Sequence, residues 1–421
     1  MERIIVKKSG PLKGSVKIDG AKNSALPIIA ASLLGTEPIT LEEVPNLKDV
    51  QIILKVLQEL GAKVEFLDDT TVRIDSSSID KYEASYELMS KMRASFLVMG
   101  PLLTRFGKTR TSLPGGCAIG SRPIDLHLKG FKALEAELNV DDYVIEATAE
   151  NGLVGKTIYL DFPSVGATQN IMMAATMAQG ETVIENPAKE PEIVDLANFL
   201  NKLGADVKGA GTSTIRIRGV EKLGGTIHQI IPDRIEATTF MVASAITGGD
   251  ITIKNCITSH ILPVIAKLRE MGCKVVENED DTIRVYCDKK LCGTYIKTLP
   301  YPGFPTDAQA QFMALMSVVD GQSKVEETVF ENRFMHVEEL TKMGAIIATD
   351  GSEARIAGVP QLKGAKVRAT DLRAGAALVL AGLTTEEETT VSDIYHIDRG
   401  YNDIVGKLKA LGADIRREEM D

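Results

Sequence analysis

Three kinds of side chain in this sequence are placed where they could do chemistry. A single thiol, Cys117, sits in Leu113-Pro114-Gly115-Gly116-Cys117-Ala118-Ile119-Gly120-Ser121-Arg122. Its glycine neighbours leave the backbone free, and an arginine five residues on would favour the thiolate. An isolated cysteine is more often a small buried hydrophobe, so the loop around it decides the reading. Two carboxylates follow. Asp307 comes after Tyr301-Pro302-Gly303-Phe304-Pro305-Thr306, an ordered turn, and Asp371 comes after Ala369-Thr370, both opening apolar helical stretches. Thr306 and Gln309 have capping-box spacing, so an ordinary helix-start role is open to Asp307, and a capping role is equally open to Asp371. Last come the cations Lys22, Arg93, Arg122, Arg333, Arg373 and Arg399, at helix starts or in adjoining loops. Arginine's planar fork suits carboxylate and phosphate, and lysine adds a point charge.

Those residues sit on a repeating frame. The phrase Leu60-Gly61-Ala62-Lys63-Val64 returns as Leu203-Gly204-Ala205, Met271-Gly272-Cys273, Met343-Gly344-Ala345 and Leu411-Gly412-Ala413, with a degenerate copy at Leu134-Glu135-Ala136. The spacing of roughly 70 residues exceeds common solenoid periods and fits a small α/β unit. Each phrase ends an amphipathic helix, with glycine expected as the left-handed cap, and a strand follows. Upstream in each unit lies a more apolar helix: 25–34, 94–103, 167–178, 237–246, 308–318 and 373–383. Being apolar on most sides, these six are expected to be the buried ones. Their starts are polar, and converging helix N-termini would favour anions. A chain of 421 residues exceeds one core. Three units per domain follow, with boundaries at 21–230 and at 1–20 plus 231–421. The strand at 3–6 and a hairpin ending at Ile18 are expected to join the C-terminal half, an expectation that rests partly on a family resemblance.

Composition narrows the partners. A net charge of −10 argues against nucleic acid, while local arginine clusters can still receive a small anion. The five cysteines form no CxxC pair and the five histidines are scattered, so neither a disulfide framework nor a metal site is indicated. The charged start and the lack of a long apolar run read as cytoplasmic, with no membrane segment. Neither a GxxxxGK[ST] loop nor a GxGxxG after a strand occurs, so neither ATP nor a dinucleotide is expected.

The loop from Leu113 to His127, with Gly20-Ala21-Lys22-Asn23, Lys91-Met92-Arg93-Ala94-Ser95, Ser164-Val165-Gly166-Ala167-Thr168, Tyr301 to Asp307, Glu331-Asn332-Arg333-Phe334, Thr370 to Arg373 and Ile397-Asp398-Arg399-Gly400-Tyr401, resembles the enolpyruvyl transferase family over essentially the whole chain. The resemblance is to members that act on UDP-N-acetylglucosamine. It implies two inverse α/β barrel domains, and transfer of the three-carbon unit of phosphoenolpyruvate to the sugar 3′-hydroxyl with loss of phosphate, an early step toward peptidoglycan, without a cofactor or metal. It further implies that Cys117 protonates the methylene carbon and is the thiol alkylated by fosfomycin, and that Asp307 accepts the hydroxyl proton. Asp371 would then be a positioning group. Lys22, Asn23, Arg122, Arg333, Arg373 and Arg399 would hold phosphoenolpyruvate. Arg93, Arg122, Pro123, Ile124, Asp125, Leu126, Ser164, Val165, Gly166, Asp307 and Val329 would meet the sugar nucleotide. The chain departs at Phe162-Pro163, where some members carry a basic residue. The Gly-Gly-Cys loop disfavours the shikimate-pathway transferase, and retention of Cys117, Asp307 and Lys22 disfavours an inactive sugar-nucleotide scaffold.

Overall fold

The computed structural model describes residues 2–112, 124–141 and 144–419. Within them the contacts cluster into two units, one of residues 20–231 and one of residues 2–19 with 232–419. Each unit has its own apolar core. The chain changes unit at Asp19/Gly20 and at Ile231/Pro232. The two crossings run side by side: Ala21 N donates to Ile231 O at 2.7 Å, and Asp233 N donates to Asp19 O at 2.8 Å.

Six sheets carry the repeat. Five of them have one order: an outer strand lies parallel to the next, and two further strands continue antiparallel. In the first, Ile227–Gln229 is parallel to Ile39–Glu42, which pairs antiparallel with Val72–Asp75, itself antiparallel to Lys63–Phe66. The remaining sheet, Lys108–Ser112, Val144–Thr148 and Glu137–Val140, is three-stranded among the described residues, with a lone parallel bridge from Glu83 to Arg110 where the outer strand would lie. Each sheet stays separately hydrogen-bonded, three to a unit, around the helices.

The six apolar stretches are helical and buried. They are Lys22–Ala31, Met99–Phe106 behind the 3-10 turn Arg93–Val98, Val165–Ala175, Arg234–Thr247, Gln309–Met316 behind the 3-10 turn Thr306–Ala308, and Leu372–Gly382. In the C-terminal unit the last three pack on one another. Such helices are apolar all round because they are covered all round, whereas Lys48–Glu59 and Pro191–Lys202 show water one face.

The N-terminal strands differ from the sequence expectation. Glu2–Val6 and Lys13–Lys17 form no hairpin with each other. The first lies antiparallel between Thr389–Ser392 and Ile415–Glu419, and the second lies parallel to Asp250–Lys254. Both do pair with C-terminal strands, so the start of the chain completes two different sheets of one unit. The apolar alternation of each strand is as well satisfied by either partner, which is why local pattern could not choose.

The repeated phrase ends its helix as its glycine requires. Gly61, Gly204, Gly272, Gly344 and Gly412 all have φ between 88° and 108°. In the degenerate copy Glu135 takes the same turn at φ 70°. A side chain there strains the backbone, and the exposed Lys156–Glu135 pair at 2.8 Å contributes little in return. Replacing Glu135 by Gly is expected to stabilise the N-terminal unit by about 0.5–1 kcal/mol, after allowing for the greater freedom of glycine in the unfolded chain. The shift would be read from the denaturant midpoint.

Candidate active site

Asp307 sits on the 3-10 turn that opens the Gln309–Met316 helix. One of its carboxylate oxygens accepts from Arg333 Nη2 at 2.8 Å and the other from Arg373 Nη2 at 3.3 Å. Both arginine side chains are 4% exposed, against 25% for Asp307, so two guanidinium groups are held nearly dry beside one partly open carboxylate. Arg373 also donates through Nη1 to the Tyr401 hydroxyl at 3.2 Å, and that hydroxyl lies 2.8 Å from Thr239 Oγ1. Gln311 donates to Thr239, to Tyr401 and to the Asp307 carbonyl at 3.2, 3.3 and 3.0 Å. Burial works against the Arg373 charge, but Tyr401, Asp307 and Asp233 outweigh it and hold the guanidinium firmly protonated. Among the described residues, Arg333 Nη1 and Arg373 Nε are buried with no acceptor within hydrogen-bonding reach. Buried donors of this kind are costly unless something accepts from them, and an anion would.

The capping box anticipated at Thr306 and Gln309 does not form. Thr306 Oγ1 donates to Glu327 at 2.9 Å and Gln309 Nε2 to the Arg333 carbonyl at 3.5 Å, so both side chains serve contacts far along the chain. Asp371 does cap, accepting from the backbone N–H of Arg373 at 2.8 Å and of Ala374 at 3.0 Å. It thereby sets the first turn from which Arg373 reaches Asp307. Arg399 ends the short Tyr395–Asp398 helix, and its charge, after burial, holds His396 below its ordinary value. Burial and the Arg333 charge push His336 down to about 4 although Asp371 opposes them.

Glu327 is the organising residue that the sequence did not reveal. It is 3% exposed and accepts from Thr298 Oγ1 and Val329 N at 2.9 Å, from Phe330 N at 3.2 Å, and, on its other oxygen, from Thr306 at 2.9 Å. It thus ties the Asp307 turn to the segment carrying Val329 and Arg333. Thr239 and Gln311 had a sequence signal in principle, since polar residues inside helices otherwise apolar on every side must find partners. Glu327 had none, lying in a charged run after a strand.

The N-terminal unit holds a second group. Lys22, the first residue of its helix, is paired with Asp49 at 2.7 Å, with side-chain exposures of 10% and 2%. Asn23 follows, half-buried. Ser24 donates to Asp195, which also meets His228 Nε2 at 2.9 Å and fixes the start of this helix from beneath. Arg93 opens the 3-10 turn Arg93–Val98. Ile124, Asp125 and Leu126 form the start of the Asp125–Ala133 helix, with Asp125 favourably in its first turn. Ser164 caps Val165–Ala175 by accepting from Ala167 N at 3.3 Å, and a Cβ on Gly166 would stand only 3.2 Å from the His127 ring. His127 Nδ1 lies 3.2 Å from the Asn170 amide nitrogen, which makes Nδ1 the acceptor of a neutral ring. Burial, with the Arg93 charge added, pushes His127 down to about 3. Cys117, Arg122 and Pro123 lie outside the described residues.

Each group therefore presents a cation on an apolar frame: Lys22 and Arg93 in one unit, Arg333 and Arg373 around Asp307 in the other. Among the described residues no group of three or more His, Cys, Asp or Glu is placed to hold a metal ion, and no helix is long and apolar enough to cross a membrane. Such surroundings suit transfer chemistry on anions, in which charge is stabilised by fixed donors.

Comparison with known proteins defines the class. The family described as EPSP synthase (3-phosphoshikimate 1-carboxyvinyltransferase) matches residues 6–408, and the chain belongs to it. A crystal structure of the enolpyruvyl transferase NikO from Streptomyces tendae superimposes with a TM-score of 0.89 at 27% identity, covering 99% of this chain and 98% of that one. The fold is that of the enolpyruvyl transferases. Among curated relatives, the UDP-N-acetylglucosamine 1-carboxyvinyltransferase of Finegoldia magna is 74% identical over 422 residues, covering 100% of both chains. A protein named UDP-N-acetylglucosamine 1-carboxyvinyltransferase 1 in Caldanaerobacter subterraneus subsp. tengcongensis is 60% identical, covering 99% of both.

Substitution of Glu327 and titration of the two buried histidines test this geometry. Glu327→Ala leaves the Val329 and Phe330 N–H groups without their acceptor, and is expected to destabilise the protein by about 1–3 kcal/mol in chemical denaturation. Glu327→Gln keeps one acceptor oxygen and lets Thr306 accept, and should cost less than about 1 kcal/mol. Because His127 and His336 have folded pKa values below 6.5, unfolding takes up protons in acid. The stability they contribute is present above about pH 6.5 and lost as pH falls, at about 1.4 kcal/mol per pH unit for each ring. The His127 imidazole NMR signal is expected to stay that of the neutral ring from about pH 8 down to about pH 5.

Proposed function

We propose that this protein transfers the enolpyruvyl group of phosphoenolpyruvate to the 3′-hydroxyl of UDP-N-acetylglucosamine, releasing phosphate, in the cytoplasmic synthesis of peptidoglycan precursors. The observation that carries this reading is full-length identity to bacterial 1-carboxyvinyltransferases that act on this sugar nucleotide. The paired guanidinium groups around Asp307 support it, since a carboxylate so fixed offers oriented acceptor oxygens to a hydroxyl while the cations receive phosphate and carboxylate.

The reaction is an addition followed by an elimination. Cys117 gives its proton to the methylene carbon of phosphoenolpyruvate. The sugar hydroxyl adds to the adjoining carbon as Asp307 takes its proton, forming a tetrahedral intermediate that still carries phosphate. Loss of phosphate, which takes the proton held by Asp307, and return of a methyl proton to the Cys117 thiolate restore the double bond as the enolpyruvyl ether. Lys22, Asn23, Arg122, Arg333, Arg373 and Arg399 hold the donor, Lys22 and Arg399 nearest the reacting charge. Arg93, the Arg122 to Leu126 segment, Ser164 to Gly166, Asp307 and Val329 hold the nucleotide sugar. Asp371 acts at one remove by capping the helix that carries Arg373. The Cys117 thiolate would also open the epoxide of fosfomycin, forming a carbon–sulfur bond as the ring carbon–oxygen bond breaks.

Phosphate release tests the whole proposal. Release is expected with phosphoenolpyruvate and UDP-N-acetylglucosamine together, abolished by fosfomycin and by Asp307→Ala, and lowered by about 10²-fold or more in Cys117→Ser. Release with 3-phosphoshikimate and none with the sugar nucleotide would assign the chain to the other acceptor. Full activity in Cys117→Ser would remove the thiol from the mechanism.

A further inference from the structure

Two cysteines far in sequence from the loop thiol face each other across one strand pair. Lys274–Glu277 and Thr282–Tyr286 run antiparallel with Lys274 opposite Tyr286 and Val275 opposite Val285. One step beyond, the register sets Cys273 opposite Cys287. The hydrogen-bonding phase follows from Asn278, whose N–H donates to Thr282 O at 3.0 Å, marking residues 278 and 282 as a bonded pair. Alternation then makes 276/284 and 274/286 bonded pairs, and leaves 273/287 a non-hydrogen-bonded one. In such pairs the Cα atoms lie about 4.5 Å apart and the side chains point to one side, within the Cα separation a disulfide accepts. The side chains have turned toward each other, with the two sulfur atoms 3.2 Å apart.

We propose that Cys273 and Cys287 form a reversible cross-strand redox pair, closing to a disulfide on exposure to a small-molecule disulfide. Their exposures assign the order of events. Cys273 is 3% exposed and Cys287 is partly open, so the oxidant meets Cys287 first. The shared hydrogen bond draws the Cys287 thiol down and, with burial, pushes Cys273 up, which puts the thiolate on the more accessible sulfur. The Cys287 thiolate attacks one sulfur of R–S–S–R, forming a mixed disulfide and expelling RS⁻. Cys273 gives its proton to that thiolate and attacks the Cys287 sulfur, expelling the second RS⁻. The protein loses both thiol hydrogens and two electrons, and the donor disulfide is reduced to two RSH. Cys256 takes no part, since it is buried and its thiol is pushed up to about 12.

The test treats the native full-length chain, first reduced, with oxidised glutathione, followed by an acid quench, alkylation and peptide mapping without reductant. The expected result is one cross-linked peptide joining Cys273 to Cys287, formed ahead of any adduct on Cys256 and reopened by dithiothreitol. Cys287→Ala should leave Cys273 unmodified, and Cys273→Ala should leave a stable glutathione adduct on Cys287. A lasting glutathione adduct on Cys287 in the unaltered chain with Cys273 still alkylatable, or a cross-link through the exposed Cys292 instead, overturns the proposal. If either variant fails to fold, the mapping of the unaltered chain still decides.

Discussion

Two positive charges nearly removed from water, held apart and aimed by a single carboxylate, are the constraint around which the C-terminal unit is arranged. Burying one guanidinium costs several kcal/mol unless its donors are met, and here Arg333 and Arg373 are buried together. Asp307 meets part of that demand. Tyr401, Thr239 and Gln311 extend it through a chain of hydroxyl and amide contacts between three helices that are otherwise apolar. Among the described residues, Arg333 Nη1 and Arg373 Nε are left as buried donors that an anion could meet. A site for an anionic ligand can be built by carrying such buried donors in the folded protein, where nothing has to reorganise when the ligand arrives.

The scaffold explains how such buried donors are tolerated. Each unit surrounds its inner helices with three sheets, so the polar starts of those helices are reached from an apolar setting. Arg373 lies at the positive end of its own helix, an unfavourable place for a cation, and the Asp371 cap offsets this locally. Glu327 performs the corresponding service for the Asp307 turn. It gathers the Thr298 and Thr306 hydroxyls and the Val329 and Phe330 N–H groups onto one carboxylate, which ties the Asp307 turn to the segment that leads to Arg333. In the N-terminal unit the pairing of Lys22 with Asp49 and of Ser24 with Asp195 holds a helix start in the same way.

Much of this frame was legible in the residues. Glycine recurring at one point of a repeated phrase announces the same left-handed turn each time, and the five glycines take it. Helices without a polar face announce that they are covered, and those six are. Both signals are local: they depend on what one residue can do with its own φ, or on what a single turn must hide. Thr306 and Gln309 illustrate the limit. Their spacing satisfies the local rule for a cap, yet both are drawn to partners about 20 residues away, because a buried carboxylate and a buried carbonyl compete more strongly than a helix end that can reach water.

The sequence by itself determined the sixfold unit, the buried helices, the family likeness and the residue types available for anion chemistry, since each of these is written in short-range pattern and composition. Only the tertiary structure decided which strand the N-terminus would complete, that Glu327 would anchor the Asp307 turn, that Lys22 would face Asp49, and that Cys273 would meet Cys287. Those outcomes depend on distances between segments tens to hundreds of residues apart. Such distances are set when whole sheets and helices pack, and no local propensity encodes them.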